Sequence, residues 1–209
     1  MAGVTLLPLA SVTAHVVSLA VAATTSPTLW YLTRTTAVAA YVTLTLSVML
    51  GLLRSIARAS AEHLSWIVDE LHAFAATLAG LFVFGHLLTI KLDSFVVFSL
   101  HDLLVPGQGP YRPVAVNIGI FALYVMALTL ISSWVRRFIP YRFWRAIHYL
   151  SFLTFALVTL HGWLAGSDAN EPWLRALYVG GAAAVTFLVM MRLFARPKVS
   201  KQPAEHLSS

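Results

Sequence analysis

The chain is a succession of long apolar stretches joined by short polar connections. Each stretch has about the 20 residues that a helix needs to cross a bilayer. The pattern predicts six transmembrane helices, at about 5–24, 30–53, 66–90, 114–134, 144–165 and 173–194. Because residues 1–14 contain no Lys or Arg, we interpret the first stretch as a retained span rather than a signal peptide.

The predicted fold class is therefore all-α, an integral membrane six-helix bundle. It forms one domain over residues 1–196, and the polar tail at 197–209 is expected to be disordered. The longest connection, about 91–113, is apolar in its middle and then breaks at Pro106-Gly107 and Gly109-Pro110. We expect a short interfacial or re-entrant helix there, followed by a turn.

Composition supports a membrane protein and narrows its chemistry. The 209 residues are 59% hydrophobic and 11% charged, against about 25% charged in soluble domains. Six spans use over half the chain, which leaves no room for a soluble catalytic domain of ordinary size. The absence of cysteine excludes disulfides, thiolate-bound iron–sulfur clusters and covalently attached c-type haem.

The basic residues flank the spans, so we attribute the net charge of +6 to membrane topology and anionic lipid rather than to nucleic-acid binding. Ten of the 14 Lys and Arg residues fall on the face that holds both termini. The positive-inside rule predicts that both termini are cytoplasmic in a multi-pass protein of the cell (inner or plasma) membrane. These ten are Arg54, Arg58, Arg136, Arg137, Arg142, Arg145, Arg192, Arg196, Lys198 and Lys201.

Four histidines lie at two matched depths on two of the predicted helices. His72 and His86 are 14 residues apart on the third span, and His148 and His161 are 13 apart on the fifth. A rise of ~1.5 Å per residue separates each pair by roughly 20 Å. In the predicted topology both spans begin on the cytoplasmic side. His72 and His148 therefore form an inner pair, and His86 and His161 form an outer pair.

Haem is the ligand that this arrangement suits, because one imidazole from each helix can hold the iron from both sides. Intramembrane histidines are costly and usually functional. The geometry raises one difficulty. At 100° per residue, 13 residues end about 140° from the starting direction, so a straight fifth helix would aim its two histidines differently. Tilt, a bulge or rotated haem planes would resolve this.

Other metal chemistry fits less well. Zinc needs clustered tetrahedral ligands, and a di-iron site needs intramembrane glutamates. A proton relay would also need acidic residues within the spans, which hold almost none. His15 and His63 are interpreted as structural. His101 with Asp102 is interpreted as a solvated loop pair, although it is placed to touch a metal substrate.

Three stretches carry a resemblance to a known family: LHAFAATLAGLFVFGH (71–86), DLLVPGQGPYRP (102–113) and WRAIHYLSFLTFALVTLHG (144–162). The chain resembles the ferric-reductase-like transmembrane domain over about 30–195. That family includes ferric reductases, NADPH oxidases and the haem subunit of a bacterial methionine sulfoxide reductase system. The histidine spacings match those of the NADPH oxidases.

The resemblance implies a six-helix bundle with two non-covalent haems b, for which His72, His86, His148 and His161 are the axial ligands. Arg34 at the outer edge and Arg54 at the inner edge are candidate partners for haem propionates, and Arg145 is a third. The alternative for each arginine is snorkelling to the interface. Phenylalanines lie between the two histidine levels, where one is placed to separate the haems: Phe74, Phe82, Phe84, Phe152 and Phe155.

The chain departs from its larger relatives because it has no G-x-G-x-x-G and ends fifteen residues after its last span. We expect no flavin or nicotinamide domain here, so the electron donor is a cytosolic flavoprotein or a membrane quinol. The acceptor lies outside and is a ferric chelate, oxygen, a quinone or a partner reductase. The chain is thus expected to be the membrane haem subunit of an oxidoreductase. Two alternatives stay open: a haem-free permease or transporter, and an assembly scaffold.

Overall fold

The computed structural model describes residues 27–57 and 65–194, and all regular secondary structure within these residues is helical. A 3₁₀ turn lies at Arg136–Phe138. The seven α-helices, in chain order, are α1 (Pro27–Ala57), α2 (Ser65–Leu92), α3 (Leu100–Leu104), α4 (Pro113–Trp134), α5 (Tyr141–His148), α6 (Leu150–Ala165) and α7 (Pro172–Phe194).

Five segments of the described chain are long and apolar enough to cross a membrane, which makes this a multi-pass membrane protein. They confirm the second to sixth predicted spans to within a few residues. The predicted first span, His15, His63 and the tail at 197–209 lie outside the described residues. The count of six and the cytoplasmic termini therefore stay predictions. Below, "inner" and "outer" name the two ends of the bundle according to the predicted orientation.

Helix α1 is the centre of the bundle. It packs along most of α2 and also contacts α6 and α7, while α4 packs along α6. Ala79 of α2 is fully buried, and its small side chain permits the close approach of α2 to α1. The two histidine-bearing segments, α2 and α5–α6, thus belong to different helix pairs. The core side chains come from five helices: Tyr41, Leu44, Val48, Leu52, Ala79, Met126, Phe155, Leu174, Tyr178, Val185 and Leu188.

The fifth predicted span is not one straight helix, because it is interrupted at Tyr149. The Tyr149 amide still donates to Arg145 O at 3.1 Å, but the Phe152 amide donates to Tyr149 O, three residues back, at 3.2 Å. Such a tightened turn advances by more than 100° per residue. The break therefore changes the angular phase between His148 and His161, as the 13-residue spacing requires.

The long outer connection contains the predicted short helix and turn. Helix α3 begins with a capping box: the Asp102 amide donates to Ser99 Oγ at 3.1 Å, and the Ser99 amide donates to Asp102 Oδ2 at 2.9 Å. After the turn, the Gly107 amide donates to Asn117 Oδ1 at 3.0 Å, and Asn117 Nδ2 donates to Gly107 O at 3.1 Å. These bonds attach the loop to the start of α4.

Two residues of the same loop close the outer end of α6. Arg112 Nη1 donates to Leu164 O at 2.7 Å, and the Tyr111 hydroxyl donates to Ala165 O at 3.2 Å. The last carbonyls of a helix have no partner within the helix, so these side chains supply the missing donors. Arg112 adopts a left-handed backbone with φ of 36°, which is unfavourable for a side-chain-bearing residue.

Candidate functional site

The inner histidines meet across the bundle. His72 lies two turns into α2, and His148 is the last residue of α5. Their ring centroids are 5.9 Å apart, with an interplanar angle of 72°. Two metal–nitrogen bonds of about 2 Å each, plus the distance from each nitrogen to its ring centre, require about 6 Å between centroids. The spacing of the inner pair would therefore allow His72 and His148 to hold one metal ion between them.

The outer histidines are each held by a backbone carbonyl of a neighbouring helix. His86 Nδ1 lies 3.0 Å from Thr33 O of α1, and His161 Nδ1 lies 2.8 Å from Ala115 O of α4. Both residues lie near the outer ends of their helices, which is where the predicted outer pair places them.

The carbonyl contacts determine which ring nitrogen carries the proton. His72 Nδ1 lies 2.8 Å from Ser47 O, so three of the four histidines make the same contact. A carbonyl oxygen only accepts hydrogen bonds, so Nδ1 must be the donor in each case. The neutral ring then carries its lone pair on Nε2. This tautomer is the one that metal-bound histidines use when a second group orients the ring.

His148 is the exception. Its Nδ1 is buried and has no hydrogen-bond partner among the described residues. Its ring instead stacks on Trp144, one turn earlier in α5, with centroids 5.0 Å apart and an interplanar angle of 26°. The indole thus orients the imidazole by contact, and the Arg136 guanidinium lies 4.9 Å from the centroid of the Trp144 ring. Sequence reasoning did not identify Trp144 as part of the site.

Two glycines make room for two of the rings. A Cβ placed on Gly119 of α4 would lie 2.6 Å from His161 Nδ1, and one on Gly51 of α1 would lie 3.2 Å from His72 Cε1. The first distance is shorter than any real contact of this kind, and the second is tight. Each ring therefore lies directly against the backbone of the neighbouring helix.

The glycine and the carbonyl are related by one helical turn in both cases. His72 contacts Ser47 O and packs on Gly51, and His161 contacts Ala115 O and packs on Gly119. A helix carbonyl points towards residue i+4, so a ring that reaches it must pass over that residue. Glycine is a poor helix former, and its presence in the spans was the available signal for this arrangement.

The two predicted propionate partners already contact carboxylates of this chain. Arg34 pairs with Asp168, and Arg54 Nε lies 2.9 Å from Asp69 Oδ1. Arg145 Nε donates instead to the hydroxyl of Tyr149, at 2.9 Å. Each guanidinium keeps further N–H donors, so the propionate role of Arg34 and Arg54 stays a prediction.

The other sequence candidates fall in different places. Phe74 and Phe84 are 63% and 64% exposed, on the face of α2 opposite its histidines, whereas Phe155 is buried in the core and stacks with Tyr41. The expectation that one phenylalanine separates the haems stays a prediction. Asp102 is used in the capping box of α3, next to His101.

Within residues 27–57 and 65–194, no three His, Cys, Asp or Glu side chains come together as a metal-ion cluster. Comparison of this chain with family models, with curated proteins and with solved structures returned no match. The site is therefore interpreted from its own geometry.

Proposed function

We propose that this protein is a transmembrane electron-transfer cytochrome b, with one haem b between His72 and His148 and a second between His86 and His161. The observation that carries the proposal is the shared Nδ1–H to carbonyl contact of three of these histidines. It leaves Nε2 unprotonated and available as an axial ligand, on rings that are already oriented.

Pairing supports the same assignment. The inner rings have a spacing that suits two ligands of one ion, and each pair draws one histidine from α2 and one from α5–α6. Carbonyl contacts alone would also suit purely structural histidines. Structural histidines, however, have no reason to occur at two matched depths, roughly 20 Å apart, on the same two helical segments.

The chain's own groups define the environment of the two pairs. Haem held by two imidazoles supplies one-electron transfer, without an open metal position for substrate. The carbonyls of Ser47, Thr33 and Ala115 accept hydrogen bonds from Nδ1–H and so raise the basicity of Nε2 in each ring. Gly51 and Gly119 let the rings approach the helix backbone, and the apolar helices exclude water from both levels.

The electron donor is proposed to dock at the inner end, where a basic surface is exposed. Arg136, Arg137 and Arg142 lie on the 3₁₀ turn and the start of α5, and each guanidinium lies 4.6 to 5.1 Å from an aromatic ring. None of the three pairs with a carboxylate in the described part of the chain. Such a surface suits an acidic flavoprotein or its phosphate groups, with a membrane quinol as the other donor class. The acceptor, a metal chelate, oxygen or a partner reductase, would lie at the outer end.

The test is haem stoichiometry in purified protein. We expect two haems b per chain by the pyridine haemochrome assay, with sharp reduced bands of six-coordinate iron. Alanine at His72, His86, His148 or His161 should each remove about one haem, because one axial ligand is lost. His101→Ala is the matched control, since His101 lies in the outer loop, and it should keep both.

Haem content that is intact in all four histidine variants would contradict the assignment. Absence of haem from wild-type protein made in haem-supplied cells would contradict it as well, and would favour a permease or scaffold. If only the His148 variant kept two haems, the inner pair would need another partner for His72.

A further inference from the structure

A groove separate from the histidine site lies between α6 and α7. Its volume is about 920 Å³, and Phe152 and Ala156 of α6 face Ala182 and Val189 of α7 across it. His161 contacts α4 instead, so the groove and the histidines use different faces of α6. The groove starts at the inner end, at Tyr149 and Arg192, and extends outward as far as Trp163.

The inner mouth of the groove concentrates positive charge. Arg145 Nε donates to the Tyr149 hydroxyl at 2.9 Å, and Arg192 Nη2 donates to the same oxygen at 3.2 Å. Both guanidinium carbons also lie 5.6 Å from the Tyr149 ring. Tyr149 thus gathers two like charges from different helices at one point. No carboxylate within the described ranges pairs with either arginine.

Two gathered guanidiniums repel each other unless an anion joins them, and each keeps several N–H donors after binding the hydroxyl. The apolar groove begins beside them and runs towards the membrane centre. From Tyr149 to Trp163 is 14 residues, or ~21 Å of helix. That is more than half of a hydrocarbon core of ~30 Å, so the groove is long enough for an acyl chain of one leaflet.

We propose that this groove is a binding site for an anionic phospholipid of the inner leaflet. The headgroup phosphate would contact Arg145 and Arg192 around Tyr149, and one acyl chain would lie between α6 and α7. Charge complementarity selects an anionic lipid over a zwitterionic one. Both headgroups offer phosphate oxygens to the guanidiniums, but the choline ammonium of a zwitterionic lipid would be repelled by the two arginines. The site would stabilise the packing of α7, which has few other contacts with α6.

The experiment is native mass spectrometry of the purified full-length protein. Detergent-solubilised protein is delipidated, then incubated with phosphatidylglycerol or with phosphatidylcholine of the same chain length. We expect retention of phosphatidylglycerol in preference to phosphatidylcholine. Arg145→Gln and Arg192→Gln should each weaken that retention about fivefold. Arg142→Gln is the matched control on the same helix, since Arg142 lies over Phe143 and not at the groove, and it should leave retention unchanged.

A second pair of variants tests the groove itself. Ala182→Leu fills the groove and should reduce phosphatidylglycerol retention, whereas Ala183→Leu, on the exposed neighbouring position, should not. Equal retention of the two lipids by wild-type protein would overturn the proposal. An equal loss in Arg142→Gln and Arg145→Gln would overturn it too, since it would indicate general surface attraction. Binding of decylubiquinone that Ala182→Leu blocks and the arginine variants do not affect would assign the groove to a neutral amphiphile instead.

Discussion

Single side chains show how histidines are oriented inside an apolar bundle that holds almost no carboxylates. In many metal sites an Asp or Glu accepts a hydrogen bond from the histidine N–H that does not face the metal. Here backbone carbonyls of α1 and α4 do so, and glycine one turn later gives the ring access in two of the three cases. A carbonyl that is already hydrogen-bonded within its helix has a second lone pair, so it can accept the imidazole without breaking the helix.

The glycine contacts predict a graded effect of adding one methyl group. Gly119→Ala should displace the His161 ring, reduce haem content from two to about one and destabilise the protein by about 1–3 kcal/mol through overpacking. Gly51→Ala should have a smaller effect, because its new Cβ would meet His72 at 3.2 Å rather than 2.6 Å. Haem content and thermal unfolding of the same samples would measure both.

Gly180→Ala provides the matched control, because a Cβ at this mid-helix position of α7 would meet nothing within 4 Å. It should keep both haems and gain up to about 1 kcal/mol from helix propensity. Equal haem loss in Gly119→Ala and Gly180→Ala would show that the contact between Gly119 and the His161 ring does not determine haem content.

At the level of elements, the outer loop holds the end of the helix that carries His161. Tyr111 and Arg112 cap α6, and the Gly107–Asn117 bonds attach the loop to α4, which supplies the carbonyl for His161. The loop therefore connects the two helices whose relative position sets the outer ring. The stretch that resembled the family thus has a structural task in addition to any role at the outer surface.

Arg112 should show this capping in stability measurements. Arg112→Ala loses the hydrogen bonds to the carbonyls of Leu164 and Gly166 and should lower stability by about 1–3 kcal/mol. Arg112→Gly loses the same bonds but also the unfavourable left-handed backbone, so it should be less destabilising than Arg112→Ala. Thermal unfolding in detergent distinguishes the two. A more stable alanine variant would contradict the capping role.

The short helix α3 should depend on pH through Asp102. Hydrogen bonds from the Ser99 side chain and backbone lower the pKa of Asp102 below its ordinary value of 3.8. Because this pKa is lowered on folding, the ionised carboxylate stabilises the folded helix fully above pH 3.8. This contribution disappears as the pH falls through the lowered pKa. Amide hydrogen exchange over 99–104 should therefore accelerate, relative to its intrinsic rate, only in acid. Asp102→Asn should remove this pH dependence, and its persistence in that variant would contradict the assignment.

For the whole molecule, orientation is the property on which the inner and outer assignments depend. The chain has no cysteine, so a single introduced cysteine is a unique label. Val97, in the outer connection, and Phe138, in the 3₁₀ turn, are 72% and 71% exposed, which makes them a matched pair. They lie on opposite faces of the predicted topology.

A membrane-impermeant maleimide, applied to sealed right-side-out vesicles, should label Val97→Cys but not Phe138→Cys. Permeabilised vesicles should allow labelling of both, which controls for reactivity. The positive-inside rule is the physical reason, since the predicted topology puts ten of the 14 basic residues on the face of Phe138. The reverse labelling pattern would invert the direction of the proposed electron transfer.

The sequence by itself determined the second to sixth spans, the short outer helix and the facing of His72 with His148, because span length and helical rise are local properties. The tertiary structure decided the rest of the site. The carbonyls of Ser47, Thr33 and Ala115 lie 25, 53 and 46 residues from their histidines, and Arg34 meets Asp168 only across the bundle. The break at Tyr149 changes the angular phase between His148 and His161, although nothing in the local pattern places it there. Such contacts depend on which helix faces pack together. In helices that lie in lipid, apolar residues are spread almost evenly around the helix, so the sequence does not mark the packed face.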